Sequence, residues 1–205
     1  IPDGISYDRA SLGEPLSSVY ACQENIEIGF GDTIVIIGAG PIGCFHAKLA
    51  KLRGAKKVIM VEINNKRLET AKQFGVDHTI NSLNEDPIGA VKKLTNGKGA
   101  DKVISANPST QAQAQAIFMA KRTGIVVFFA VLPKVLLTEL DTNYIHYKWS
   151  FGFYGTLWFL IVCRCKNLLN LQFLMNSKLR NLLLIFYHLV KLIKGLAPLL
   201  NLGKL

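Results

Sequence analysis

The chain alternates between short, unbroken apolar runs and stretches in which apolar residues return every three or four positions. Thr33-Ile34-Val35-Ile36-Ile37 shows no polar alternation, which predicts a strand buried on both faces. Lys57 to Glu62, Lys102 to Ser105 and Gly124 to Ala130 read the same way, with a short strand at His78-Thr79-Ile80. Gly124 to Ala130 is uniformly apolar and is therefore expected at the centre of the sheet. Between the runs, Ile42, Phe45, Leu49 and Leu52 mark one helical face, Leu68, Ala71 and Phe74 a second, and Ala90, Val91 and Leu94 a third. Strands alternating with helices at this rhythm predict an α/β fold: a doubly wound parallel sheet of about six strands with helices on both faces.

Turn and cap residues punctuate the pattern where the elements should end. Ser17 to Ile26 is expected to be a helix leading to the turn Gly31-Asp32. Glu14 precedes Pro15, which predicts extended backbone and a solvated loop acid. Asn64 or Asn65 can cap the helix that Gly75 ends, and Asp86-Pro87 pairs a cap with proline at the first helical position. Asn96-Gly97-Lys98-Gly99 is a turn, and Ser109 or Thr110 starts the next helix. Trp149 to Tyr154 is expected to add a sixth strand, followed by apolar runs at Leu157 to Cys163 and Leu182 to Ile193.

The chemistry sits where the first strand meets the first helix. Gly38-Ala39-Gly40-Pro41-Ile42-Gly43 fits G-x-G-x-x-G, with a strand before it, a helix after it and the acid Glu62 about 20 residues on. Gly38 allows the sharp turn, Gly40 admits a pyrophosphate close to the backbone, and Gly43 lets helix and strand pack. The N–H groups of the helix's first turn then face the phosphates. Right-handed crossovers bring the strand tips at Gly38, Glu62, Ala106 and Ala130 to one edge, so one dinucleotide crevice is expected. The expected division is a lead-in over 1–30, a Rossmann domain over 31–155 and basic, leucine-rich helices over 156–205.

Charge and cysteines change this picture little. Basic and acidic residues nearly balance up to Asp141, and most of the net charge of +10 arises beyond it, where no Asp or Glu follows while Lys148, Arg164, Lys166, Lys178, Arg180, Lys191, Lys194 and Lys204 remain. These basic residues stand singly among leucines, without the clustering of a phosphate-tracking groove, so no nucleic-acid partner is expected. The apolar runs fall short of the roughly 20 residues that span a bilayer, so they are expected to be buried or amphipathic helices, and attachment to a membrane surface is the rival. Cys22, Cys44, Cys163 and Cys165 lack C-x-x-C spacing, which predicts reduced thiols and a cytoplasmic location. No signal pattern opens the chain, and it begins without Met, which predicts a piece of a longer protein.

With Glu14, the glycine loop and Glu62 in place, the chain resembles the cofactor-binding half of zinc-type medium-chain alcohol dehydrogenases, especially the sorbitol and threonine dehydrogenase branch. The matching text is GEPLSSVY, GDTIVIIGAGPIGCFHAKLAKLRGAKKVIMVEINNKRLETAKQFGVDHTIN, LTNGKGADKVI, VVFFAVLPK and LDTNYIHYK, which covers nearly everything up to about Gly155. The resemblance implies NAD-linked oxidation of a small alcohol or polyol, with zinc as Lewis acid. It implies that Gly38, Gly40 and Gly43 surround the pyrophosphate, with Pro41 and Ile42 at the helix start. Glu62 would bind the adenosine ribose and disfavour a 2′-phosphate, with Ile63 and Arg67 near the adenosine. Ala106 and Asn107 would line the crevice, and Ala130, Val131, Tyr154 and Gly155 the nicotinamide end.

Glu14 matches the Glu-Pro position that approaches the catalytic zinc in the polyol branch. The family's other zinc ligands belong to an N-terminal catalytic domain that this sequence does not contain. Cys22, Cys44 and His46 are expected to be packing residues and not their substitutes. Ala130 and Val131 stand where the family usually has glycine. The chain alone is therefore expected to bind a dinucleotide without catalysing, and a homo-oligomer is a family-level expectation. A non-catalytic NAD-binding or scaffold module is the alternative.

Overall fold

Five β-branched or aliphatic residues in succession make Thr33–Ile37 the first strand, β1, in the computed structural model, which describes residues 6–148. Its side chains alternate between two cores. Ile34 and Ile36 enter one with Val58, Met60 and Ile104, while Val35 and Ile37 enter the other with Ile59, Val61 and Val103. A strand with apolar layers on both sides needs helices on both sides, and the chain supplies them.

The remaining elements follow in order. Tyr7–Ser11 is α1 and Gly13–Asn25 is α2, both ahead of β1. Pro41–Leu52 (α3), Lys57–Glu62 (β2), Asn65–Lys72 (α4) and His78–Asn81 (β3) build one side of the sheet. Pro87–Leu94 (α5), Ala100–Ser105 (β4), Thr110–Met119 (α6), Ala120–Phe128 (β5) and Thr142–Lys148 (α7) complete the described chain. All pairings are parallel, in the order β3-β2-β1-β4-β5. Cys22, Ala47, Leu68 and Ala71 from α2, α3 and α4 fill one core, and Val91, Ala112, Ala116 and Met119 from α5 and α6 fill the other. The doubly wound α/β fold is thus present with five strands among the described residues.

Caps stand where their chemistry requires. Asn64 accepts from the N–H groups of Lys66 and Arg67, Asp86 from those of Ile88 and Gly89, and Ser109 from that of Ala112. Each satisfies first-turn donors that have no partner inside the helix.

Several expectations are corrected. Residue 14 is helical, since α2 begins at Gly13 and includes Glu14 and Pro15 in its first turn. Proline fits there because first-turn N–H groups have no intrahelical acceptor to lose. On α3 the buried positions are Gly43, Cys44, His46, Ala47, Leu49 and Ala50, whereas Leu52 is 53% exposed. Small residues face the sheet because they allow the helix axis to approach it closely. β5 begins at Ala120, four residues before Gly124, and its first part is irregular: Thr123 has φ 66° and the pairing slips between Ala100 and Lys102. It lies at the edge of the described sheet and not at its centre. The sixth strand expected at Trp149 to Tyr154 and the helices of 156–205 lie outside the described residues.

Candidate functional site

The sheet order reverses at β1, which has β2 on one side and β4 on the other. In a doubly wound sheet this is where the loops at the carboxyl ends of the strands part and leave a crevice. Gly38 opens that loop at φ 106°, a left-handed conformation that favours glycine. Its N–H donates to the carbonyl of Val61 (2.8 Å), and the N–H of Ala106 donates to the carbonyl of Ile37 (2.8 Å). The three strand tips are therefore stitched together at the crevice floor.

Gly40 is the N-cap of α3, extended at φ −74° and ψ 179°, with no side-chain cap and with Pro41 at the first helical position. A Cβ built on Gly40 meets nothing within 4 Å. The first bond of the helix runs from the N–H of Cys44 to the carbonyl of Gly40 (3.0 Å), so the N–H groups of Ile42 and Gly43 precede it. By position they have no intrahelical acceptor, and they carry the positive end of the helix dipole. A Cβ on Gly43, by contrast, would stand 1.9 Å from the carbonyl oxygen of Gly38. Open space above one glycine and none beside the next is what an anion cradle at a helix start requires.

Glu62 closes one side. It is 8% exposed at the end of β2. Oε2 accepts from the N–H of Ala39 (2.9 Å), and Oε1 accepts from those of Ile63 (2.8 Å) and Asn64 (3.2 Å). The Arg67 guanidinium, itself largely exposed, lies 3.8 Å from Oε2. Ile63 is 57% exposed beside them.

Asn107 and Ala106 close the other side, since a Cβ on Gly38 would lie 3.1 Å from Cβ of Asn107 and 3.3 Å from the Ala106 backbone. Beyond β5, the N–H of Ala130 donates to the carbonyl of Ser105 (3.0 Å), and Val131 is 56% exposed. A residue the sequence did not single out ties this segment down. The buried amide of Gln113 donates to the carbonyl of Ala130 (3.2 Å) and accepts from the hydroxyl of Thr138 (2.8 Å). A glutamine in an alanine-rich helix carries no sequence signal of such a role. The structure thus brings Gly38, Gly40, Pro41, Ile42, Gly43, Glu62, Ala106 and Asn107 together at the carboxyl ends of β1, β2 and β4, while Tyr154 and Gly155 lie outside the described residues.

Other candidates fall elsewhere. Glu14 is exposed in the first turn of α2. Among the described residues no group of three or more His, Cys, Asp or Glu could hold a metal ion, and no helix is long and apolar enough to cross a membrane. Cys44 and His46 pack into the core side of α3. Burial pushes the Cys44 thiol up to about 11 and the His46 imidazole down to about 3. Gln23 of α2 donates to Nδ1 of His46 (3.2 Å) and to its carbonyl (2.8 Å), which leaves the ring proton on Nε2.

The family model described as zinc-binding dehydrogenase matches residues 41–170. The L-threonine 3-dehydrogenase of Bacillus subtilis (strain 168) is 40% identical over 148 residues, 72% of this chain and 42% of that protein. The D-xylulose reductase of Saccharomyces cerevisiae is 36% identical over 132 residues, 62% of this chain and 37% of that protein. The chain therefore spans about two fifths of the length of these curated relatives. Among solved structures, the alcohol dehydrogenase TADH of Thermus sp. ATN1 is similar with a TM-score of 0.65 at 27% identity, over 71% of this chain and 42% of that one. A Sinorhizobium meliloti 1021 chain solved bound to NADP gives 0.67 at 26% identity, over 72% and 44%.

Proposed function

The chain belongs to the zinc-binding dehydrogenase family, the zinc-type medium-chain alcohol dehydrogenases, and from that premise we propose that it is the coenzyme-binding domain of an NAD-linked dehydrogenase of small alcohols or polyols. The observation that carries this reading is the open space at Gly40 above the unbonded first turn of α3. A pyrophosphate held there would meet the N–H groups of Ile42 and Gly43 and the positive end of the helix dipole. Gly38 and Gly43 set the shape of the turn, and Pro41 fixes the helix start.

Glu62 would accept hydrogen bonds from the adenosine ribose, and its charge would repel a 2′-phosphate, which favours NAD over NADP. Arg67 partly offsets that charge, so the preference has a limit. Ile63 would lie by the adenosine, Ala106 and Asn107 along the middle of the dinucleotide, and Ala130, Val131, Tyr154 and Gly155 at the nicotinamide. NAD, when bound, supplies the hydride acceptor; the residues named here bind and orient it.

Zinc is a different matter. The described residues do not compose a zinc site. Glu14 would contribute one carboxylate beside a metal whose other ligands come from a further domain, which would also hold most of the substrate. A homo-oligomer in the cytoplasm belongs to the same reading.

The test is the chain alone with NAD and a panel of secondary alcohols and polyols. It is expected to bind coenzyme and to form no NADH. Turnover by the chain alone would overturn the division of labour, and failure to bind either coenzyme would overturn the reading itself. One second reading is a non-catalytic NAD-binding or scaffold module, in which Glu14 is a solvated surface acid. A natural coding sequence with a zinc-ligand domain upstream of this segment would exclude it.

A further inference from the structure

The Glu62 carboxylate receives three backbone hydrogen bonds from two separate segments. One comes from the glycine loop, at Ala39, and two come from the lead into α4, at Ile63 and Asn64. We propose that Glu62 is a positioning residue for the glycine loop as well as a ribose ligand: its carboxylate ties Ala39 to the start of α4 and so holds the pyrophosphate cradle in its binding shape before coenzyme arrives. The inference rests on the crevice being a dinucleotide site and adds a task to one of its residues.

The physical case starts from what else could brace the loop. Gly40 has no side chain and nothing within 4 Å of its Cβ position, so side-chain packing does not hold the turn there. The N–H groups of the two residues before it are both fastened to the end of β2, Gly38 to the Val61 carbonyl and Ala39 to Glu62. Ala39 is 5% exposed, so its N–H would be a buried donor without an acceptor if the carboxylate were removed. The bond that Glu62 accepts is charge-assisted, hence stronger than a neutral one. A neutral residue without an acceptor oxygen, small enough to admit a 2′-phosphate, would discard this tie together with the charge. Exchanging Glu62 to admit NADP should therefore weaken both coenzymes.

A ligand that cannot use the ribose contact separates the two tasks. NADH lacking the adenosine 2′- and 3′-hydroxyls is titrated against the wild type, Glu62→Ala and Glu62→Gln. A residue acting only through those hydroxyls would leave this ligand's affinity unchanged on substitution. The proposal expects Glu62→Ala to bind it about tenfold more weakly or worse, with Glu62→Gln between, since glutamine keeps one acceptor oxygen. Equal affinity of folded Glu62→Ala and wild type would overturn it. Amide hydrogen exchange of the coenzyme-free wild type covers the case in which the variant does not fold. Slow exchange at Ala39 is expected, and exchange as fast as that of an unprotected loop amide overturns the tie. Failure of the wild type to bind NADH counts against the dinucleotide reading instead, with exchange at Ala39 still deciding the tie.

Discussion

The carbonyl oxygen of Gly38 occupies the space a side chain on Gly43 would need, 1.9 Å from the position of its Cβ. The carbon cannot fit without moving the backbone of either β1's exit or α3. Gly43→Ala is therefore expected to lose roughly 1–3 kcal/mol of stability, the range for overpacking a close-packed interior. Urea denaturation measures it, and coenzyme binding should fall with it.

Gly40 gives the opposite expectation. Its backbone is extended, any residue can adopt it, and a Cβ there meets nothing. Gly40→Ala should keep its stability within about 0.5 kcal/mol of the wild type, as a surface change does. Its affinity for NADH should nevertheless drop, because the new methyl enters the space assigned to the pyrophosphate. Parallel denaturation and binding curves on the two variants separate the packing glycine from the binding glycine.

That contrast also shows how much was legible in the sequence. The strand at Thr33–Ile37, the glycine loop and Glu62 are legible because an unbroken β-branched run, closely spaced glycines and an acid at fixed spacing each leave a local mark. The buried face of α3 could not. Large apolar residues point to Phe45 and Leu52, whereas close packing on the sheet selects Gly43, Ala47 and Ala50 and also buries His46. The start of β5 leaves no local mark for a related reason: α6 runs into it without a turn, and the Thr123-Gly124 kink sits inside the strand. Gln113 meets Ala130 and Thr138 across 17 and 25 residues, a distance no short pattern spans.

Gln113 yields the third prediction. Gln113→Leu removes the acceptor for Thr138 and the donor for Ala130, both part-buried, at about 0.5–1.5 kcal/mol for each bond lost. Because the proposed reading assigns the released segment to the nicotinamide end, NADH affinity should fall while ADP-ribose affinity holds. Faster amide exchange over residues 130–138 would accompany it. Equal losses for both ligands would contradict the placement.

His46 yields a pH dependence. Its pKa falls from 6.5 to about 3 in the folded chain because burial disfavours the imidazolium. Below the unfolded value the unfolded chain takes up the proton first. The stability this group contributes is therefore complete above about 6.5 and is lost as pH falls toward about 3, at up to about 1.4 kcal/mol per pH unit. Denaturation at several pH values should show that slope in the wild type and a flatter one in His46→Phe. Identical slopes would mean that the ring is not held neutral.

The central claim is that the crevice between Glu62 and Asn107 binds a dinucleotide with preference for NAD. The most direct measurement is a fluorescence titration of the purified chain with NADH and with NADPH, alongside Gly40→Asp. The account predicts tighter binding of NADH than of NADPH, and loss of both in a Gly40→Asp protein that stays folded. Absence of NADH binding by the folded wild type, or undiminished binding by Gly40→Asp, would contradict it.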